Sequence, residues 1–381
     1  VNRPVVVLGA TGSIGSQTLE VARHLGLEVV GMAARSPSRA LVQAAGDHPS
    51  AVVVATGGSS EERAEFSAAI GDRAKFGTEA LLELASWPDA IIVNGIVGAI
   101  GLRSTVTALE AGNRVALANK ESLVAGGEVV TAAAAGGGGE LIPVDSEHSA
   151  LYQCLIGESI ESVARLVLTA SGGPFRGMSS DQLESVTPEQ ALRHPTWDMG
   201  PRITIDSATL FNKGLEVIEA HHLFGLGFDR IDVVVHPQSV LHSVVEYVDG
   251  SWKGHLGRTD MRIPIQYALT APGRAPSSIG AFELTGLDLT FESPDRQAFP
   301  SLDMAFEAGR RGGSAPAVLN AADEVAVEAF LHHRLGFTGI FDVVAGALEQ
   351  MPHSSPTTVD DVVEVDREAR ALAASLIAGA C

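Results

Sequence analysis

Pro4-Val5-Val6-Val7-Leu8-Gly9-Ala10-Thr11-Gly12-Ser13-Ile14-Gly15 is the stretch that decides the fold. Pro4 to Leu8 is a short apolar run with strand character, Gly9-x-x-Gly12-x-x-Gly15 closes it in a tight turn, and Thr18, Leu19, Val21, Ala22 and Leu25 then recur at helical spacing. Strand, glycine turn and helix start stand in the order a dinucleotide site requires: the glycines let the backbone approach a pyrophosphate, and the helix N-terminus favours its charge. Further apolar runs follow at Glu28 to Met32, Ala51 to Val54, Ala90 to Val93, Val115 to Leu117 and Leu141 to Val144, with helical stretches between them. That alternation predicts a parallel, doubly wound α/β sheet ending near the flexible bend Gly136 to Gly139. The second run ends in Met32-Ala33-Ala34-Arg35-Ser36, without the acid that commonly holds the ribose hydroxyls of NAD. Arg35, with Ser36 and Arg39, suits the 2′-phosphate of NADP; an ordinary surface arginine reads nearly as well.

The second half changes character. A strand at Val163 to Leu168 runs into Ser171-Gly172-Gly173-Pro174-Phe175, and a polar stretch of weak periodicity continues to Gly200, as in a lid. Asp206 to Phe224 reads as a helix, Ile231 to Val235 as a strand, and Val244 to Val248 with Trp252 to Leu256 as a hairpin around Asp249-Gly250. An α+β domain with its own sheet is expected here, and after about Pro300 a helical domain. A formal charge of -20 argues against a nucleic-acid partner, no apolar run reaches membrane-spanning length, and the chain opens on a strand without a charged and apolar leader. Cys154 and Cys381 do not suggest a disulfide framework and fit a reducing cytoplasm.

Pro143-Val144-Asp145-Ser146-Glu147-His148-Ser149 ends the last apolar run of the first half. Read as strand, Asp145 and Glu147 alternate onto one face, and two carboxylates so close call for a cation between them. The bland alternative is a polar strand end with both acids solvated. Only four lysines occur, and two lie in motifs. Lys120, in Ala118-Asn119-Lys120-Glu121-Ser122, falls at the carboxyl edge of the sheet, where open α/β folds bind ligands. Lys213 lies in Asp206-Ser207-Ala208-Thr209-Leu210-Phe211-Asn212-Lys213-Gly214-Leu215-Glu216. On a helix Asn212, Lys213 and Glu216 cluster on one side; with Ser207 they can hold phosphate oxygens, while Glu216 adds a third carboxylate, though a routine Lys/Glu helix pair would look the same. Three acids without a Cys or His cluster favour a hard ion, Mg²⁺ or Mn²⁺. Ser171-Gly172-Gly173 offers a hydroxyl and accessible amides to an anion. In His194-Pro195-Thr196-Trp197 the tryptophan is costly to expose unless it closes over something, or else it packs on its own domain. His236 is read as structural, and His221, His222, His332 and His333 as solvated helix positions.

Taken in order, Gly-Ala-Thr-Gly-Ser-Ile-Gly (9 to 15), Ala-Asn-Lys-Glu-Ser (118 to 122), Pro-Val-Asp-Ser-Glu-His-Ser-Ala (143 to 150), Ser-Gly-Gly-Pro-Phe (171 to 175), Asn-Lys-Gly-Leu-Glu (212 to 216) and His-Pro-Gln-Ser (236 to 239) resemble the 1-deoxy-D-xylulose 5-phosphate reductoisomerase family. The resemblance extends to Leu319-Asn320-Ala321-Ala322-Asp323-Glu324. It implies a cytoplasmic homodimer of the non-mevalonate isoprenoid pathway that converts 1-deoxy-D-xylulose 5-phosphate and NADPH to 2-C-methyl-D-erythritol 4-phosphate with Mg²⁺ or Mn²⁺, Co²⁺ being a further candidate. Carried over by motif, Asp145, Glu147 and Glu216 would hold the metal. Ser171, Ser207, Asn212 and Lys213 would bind the substrate phosphate, with Lys120, Ser146, Glu147, His194 and Trp197 around the reacting backbone, and Lys120, Glu147 and His194 as the catalytic groups. Thr11, Gly12, Ser13, Ile14, Asn119, Glu121 and Gly200 would touch NADPH, joined by Arg35 and Ser36. The implied division is a Rossmann-like NADPH domain over 1–145, a catalytic and dimerisation α+β domain over 146–280 with a lid at 171–200, a linker at 281–300 and a helical domain over 301–381. The chain departs from the family at Ala34-Arg35-Ser36, where a glycine and a basic residue followed by Asn are common, and at Asp323, where Asn is common.

Two rival readings are tested by the same residues. An aspartate-semialdehyde dehydrogenase shares the glycine turn but needs a nucleophilic cysteine, and Cys154, between Gln153 and Leu155, has no evident activating partner in the sequence. An NADP-sensing protein without catalysis leaves the acid triad unexplained.

Overall fold

In the computed structural model, which describes residues 3–98, 100–197 and 199–380, the first sheet has seven strands. They are β1 (Val5–Leu8), β2 (Val29–Ala34), β3 (Val52–Ala55), β4 (Ala74–Phe76), β5 (Ile91–Asn94), β6 (Arg114–Leu117) and β7 (Glu140–Pro143), in the order β4-β3-β2-β1-β5-β6-β7. Every neighbouring pair is parallel, and helices such as Ser13–Leu25 and Ile100–Glu110 make the crossovers. Helices on both faces explain why β1 and β5 are buried throughout and read as continuous apolar runs. The chain winds outward from β1 through β4, then returns to its other side with β5. The order therefore reverses between β1 and β5, beside the glycine turn, where doubly wound sheets bind ligands.

The second sheet holds β8 (Val163–Ala170), β9 (Ile231–Val235), β10 (Leu241–Tyr247) and β11 (Trp252–Leu256), in the order β11-β10-β8-β9. β8 and β9 are parallel, whereas β10 is antiparallel to both β8 and β11. The β10–β11 hairpin turns at Gly250, with φ of 83°, and Asp249 accepts from the backbone and hydroxyl of Ser251. Beyond it the helix Ala315–Leu331 is buried on almost every side, as an element packed between others must be. Phe330, Phe337 and Phe341 form an edge-on aromatic chain there.

The chain forms two compact units, one of residues 1–122, 129–149 and 260–281, the other of 123–128, 150–259 and 282–381. Residues 260–280 were expected with the second sheet. They belong instead to the first unit, because the helix Arg262–Thr270 buries Pro264, Ile265, Tyr267, Ala268 and Leu269 there and Arg262 pairs with Glu20 at 2.5 Å. Nor do the C-terminal helices stand apart. Ser301 donates to the Thr209 carbonyl, and Gly214 lets its helix approach so closely that a Cβ there would lie 2.6 Å from that of Ala305. Cys154 is buried, Cys381 lies outside the described residues, and no described helix is long and apolar enough to cross a membrane.

Candidate active site

In the first unit the glycine turn works as its spacing requires. Gly9 has φ of 91°, and a Cβ on it would sit 2.8 Å from the Gly95 carbonyl oxygen; one on Gly15 would sit 2.2 Å from that of Gly9. Gly12 differs: its Cβ would meet only Gly9 O, at 3.4 Å, and Thr11, Gly12 and Ser13 are exposed, with Ile14 half-buried. The turn thus leaves open space over amides at a helix start, which fits a pyrophosphate. Arg35 and Ser36 are exposed just beyond β2, so both can meet a ligand at the sheet's carboxyl edge.

Asn119 caps the helix Lys120–Gly137. Its Oδ1 accepts from the Ser122 amide at 2.7 Å and hydroxyl at 2.6 Å, while its Nδ2 donates to Ile96 O and to Gly98 O, pinning the loop after β5. Glu121 is half-buried in the first turn. Lys120 is 7% exposed and pairs with Asp145 at 2.6 Å, so its cation faces an acid from the end of β7. The expectation that Asp145 and Glu147 share a strand face is corrected. β7 ends at Pro143, and Glu147 lies in the first turn of the helix Ser146–Leu155, with the Asp145 carbonyl accepting from the Ser149 amide at 2.8 Å. The Val144 amide makes the last bond to β6, donating to Leu117 O at 2.9 Å, and the chain then turns into the helix. Ser146 donates to Glu147 at 2.6 Å, and His148, which the sequence reading left out, is fully buried with Nδ1 3.9 Å from Asp145.

In the second unit one histidine joins two of the expected phosphate ligands. His194 Nδ1 accepts from the amides of Thr196, at 3.2 Å, and Trp197, at 3.0 Å, so the neutral ring carries its proton on Nε2. That nitrogen lies 3.0 Å from Ser171 Oγ and 3.1 Å from Ser207 Oγ. Burial holds the imidazole below its usual pKa, which keeps it neutral near pH 7. Each serine hydroxyl can accept from the histidine and donate its own proton to a bound oxyanion. Close by in sequence, Glu216 is 1% exposed and accepts from Asn212 Nδ2 at 2.6 Å and from the buried Lys213 ammonium. Ser207 is not on that helix: the predicted Asp206–Phe224 helix is two, Pro201–Ala208 and Phe211–Phe224, broken where Leu210 takes a φ of 63°. Gly200 is the exposed N-cap of the first, its carbonyl accepting from Thr204 Oγ1 at 2.8 Å.

The stretch 171–200 is more structured than its weak periodicity implies. It carries short helices at Ser180–Leu183 and Pro188–Ala191, and it buries Phe175, Leu183 and Ala191. Trp197 is half-buried, its ring 6.4 Å from that of His242, a β10 residue 4% exposed whose pKa burial lowers to about 4. His236 is structural: Nε2 accepts from the Val240 and Leu241 amides and Nδ1 donates to Thr290 O at 3.0 Å. His221 and His222, expected to be solvated, are half-buried. His221 stacks on Phe228, and His222 is packed so tightly that a Cβ on Gly127 would lie 2.2 Å from its ring. His332 and His333 are exposed.

Three family models match the chain: 1-deoxy-D-xylulose 5-phosphate reductoisomerase over residues 5–127, its C-terminal domain over 141–224, and the DXP reductoisomerase C-terminal domain over 256–372. Curated relatives carry the same name. One from Pelotomaculum thermopropionicum is 48% identical over 98% of this chain and 98% of its own, and one from Chlorobium chlorochromatii is 47% identical over 97% and 98%. Among solved structures, the Zymomonas mobilis reductoisomerase in complex with NADPH superposes with a TM-score of 0.92 at 41% identity, covering 99% of each chain. A DOX-P reductoisomerase in complex with NADPH, fosmidomycin and magnesium gives 0.92 at 37% identity, covering 98% of each.

Proposed function

Since the chain belongs to the 1-deoxy-D-xylulose 5-phosphate reductoisomerase family, we propose that it converts 1-deoxy-D-xylulose 5-phosphate to 2-C-methyl-D-erythritol 4-phosphate with NADPH and a divalent metal. The observation that supports this most directly is the buried set of oxygen and ammonium groups. Acids that are wholly or partly out of water, Asp145, Glu147 and Glu216, occur with two buried lysines, and no thiolate accompanies them in their motifs, as a hard ion and an anionic substrate would require. In this reading Asp145, Glu147 and Glu216 together hold Mg²⁺ or Mn²⁺. When bound, the ion would polarise the substrate carbonyl as a Lewis acid, and NADPH would supply the hydride.

The residues of the chain do the rest. Ser171, Ser207, Asn212 and Lys213 take the phosphate, with His194 Nε2–H orienting both serine hydroxyls. Lys120 and Ser146 sit along the substrate backbone, where the Lys120 ammonium meets the oxygen that gains charge. Thr11, Gly12, Ser13, Ile14, Asn119, Glu121 and Gly200 contact NADPH, and Arg35 with Ser36 receives its 2′-phosphate. Trp197 covers the substrate as part of a lid over 171–200, excluding water while remote phosphate binding orients the reacting carbons. The functional division proposed is cofactor binding in 1–145, catalysis in 146–280, of which 260–280 packs with the first unit, and a helical support in 301–381.

The same reading makes the protein a cytoplasmic homodimer. β11 is a sheet edge, its Trp252 is 50% exposed and Val248 of the hairpin turn 71%, and Leu284, Leu287, Leu289 and Phe291 add exposed apolar surface that a second copy would cover. Light scattering should return twice the chain mass. The deciding assay follows NADPH absorbance with 1-deoxy-D-xylulose 5-phosphate, with and without Mg²⁺ or Mn²⁺. Oxidation that needs both substrate and metal supports the function; none under any condition rejects it.

A further inference from the structure

The helix Pro201–Ala208 presents Ser207 to His194, and its next residue inward, Asp206, is 4% exposed. Across from it, on the helix Ala315–Leu331, Asp323 is completely buried. Among the described residues no N–H or O–H of any other group reaches either Asp323 carboxylate oxygen, and the Asp206 carboxylate is the foremost charge acting on it. Two carboxyl groups can form a hydrogen bond only with a proton between them.

The surrounding charges favour a proton there. Arg202 lies 3.6 Å from Asp206 and 2.8 Å from Glu324, and it donates to Asn320 Oδ1 at 3.3 Å. From the helix Val359–Ala380, Arg370 pairs with Glu324 and, at 2.7 Å, with Asp366. Among the described residues, two guanidinium groups thus stand with four acids, Asp206, Asp323, Glu324 and Asp366, in a largely buried cluster. Burial first, then the Asp206 and Glu324 carboxylates, push the Asp323 carboxyl well above the usual range against the pull of Arg202.

We infer that Asp206 and Asp323 share one proton, and that this acid pair, braced by Arg202, is a positioning device that fixes the helix bearing Ser207 on the helix Ala315–Leu331. Its consequence for substrate binding rests on Ser207 being a phosphate contact; the shared proton does not. A buried acid that keeps its proton makes the folded chain bind more protons than the unfolded one. The stabilisation is complete below the ordinary carboxylate range and is lost as pH rises through the raised folded value. Asp323→Asn keeps the shape and the donor but cannot ionise.

The test compares the full chain with Asp323→Asn by thermal unfolding from pH 5 to pH 8.5, without substrate. The midpoint of the variant minus that of the native chain should grow with pH by about 2 °C or more; a difference independent of pH overturns the shared proton. In steady state, Asp323→Leu, which offers Asp206 no donor, should raise the deoxyxylulose phosphate KM about fivefold with the NADPH KM unchanged, and Asp323→Asn should restore it. Ser207→Ala separates the two failures. A raised KM there with an unchanged one in Asp323→Leu overturns the positioning role, whereas unchanged values in both overturn the phosphate reading of Ser207 and the positioning role with it, and the pH comparison still decides the proton.

Discussion

The glycine turn after β1 and the serine–histidine cradle after β8 both suit phosphate oxygens, yet they are built in opposite ways. The turn offers backbone amides over seven consecutive residues, and a Cβ added at Gly9 or Gly15 would meet neighbouring backbone at 2.8 or 2.2 Å. The cradle offers side chains, Ser171, His194 and Ser207, drawn from three separate segments and joined by one imidazole. A backbone site is specified by local conformation, so a substitution should break it sterically. A side-chain site depends on packing at a distance, so it should fail by degrees.

That contrast can be broken or sharpened by experiment. The largest effect is expected at Glu216→Gln, which removes a carboxylate from the proposed ion site. kcat should fall about 1000-fold with NADPH affinity, read by fluorescence titration, unchanged; near-normal turnover would reject the site. Gly15→Val should weaken NADPH binding about 100-fold, because the new side chain begins 2.2 Å from a backbone oxygen that cannot yield. Binding close to that of the native chain would mean that the turn is not the pyrophosphate site. His194→Ala should raise the substrate KM about tenfold, since both serine hydroxyls lose their shared donor while the fold survives. Trp197→Ala should raise the same constant about fivefold, and an unchanged value removes the tryptophan from substrate binding.

Acid should act on the second unit without touching the turn. Burial foremost lowers the pKa of both His222 and His242 to about 4, so the unfolded chain takes up their protons first. The stabilisation is complete above the ordinary histidine value and is lost as pH falls from there towards 4. By pH 5 the loss is about 2 kcal/mol per histidine, to be seen as a lower urea midpoint than at pH 7. Equal midpoints would mean that these rings are hydrated in the native state.

How far the chain could be read in advance follows the same division. The alternation of short apolar runs predicted the parallel sheet, because strands covered on both faces must be apolar at every position. The hairpin at Asp249-Gly250 was legible for a local reason, the positive φ that glycine accepts. Strand periodicity failed at Asp145 and Glu147, since Pro143 ends β7 and a helix begins at Ser146. Helical periodicity likewise ran through Thr209 and Leu210, where the backbone leaves the helix and separates Ser207 from Asn212. The burial of His148 and the partial burial of His221 and His222 had no signal at all, because nothing in a histidine's neighbours along the chain tells whether another segment will cover it.

The sequence by itself determined the doubly wound sheet, the nucleotide turn and the family, all of which rest on contiguous residues whose backbone conformations are set by their own side chains. Tertiary structure alone decided that Lys120 meets Asp145, that one imidazole gathers Ser171 and Ser207, and that Asp206 faces Asp323. Those contacts join residues whose distance along the chain carries no information about their distance in space, and only the packing of helices on sheets brings their charges close enough to fix which protons are held.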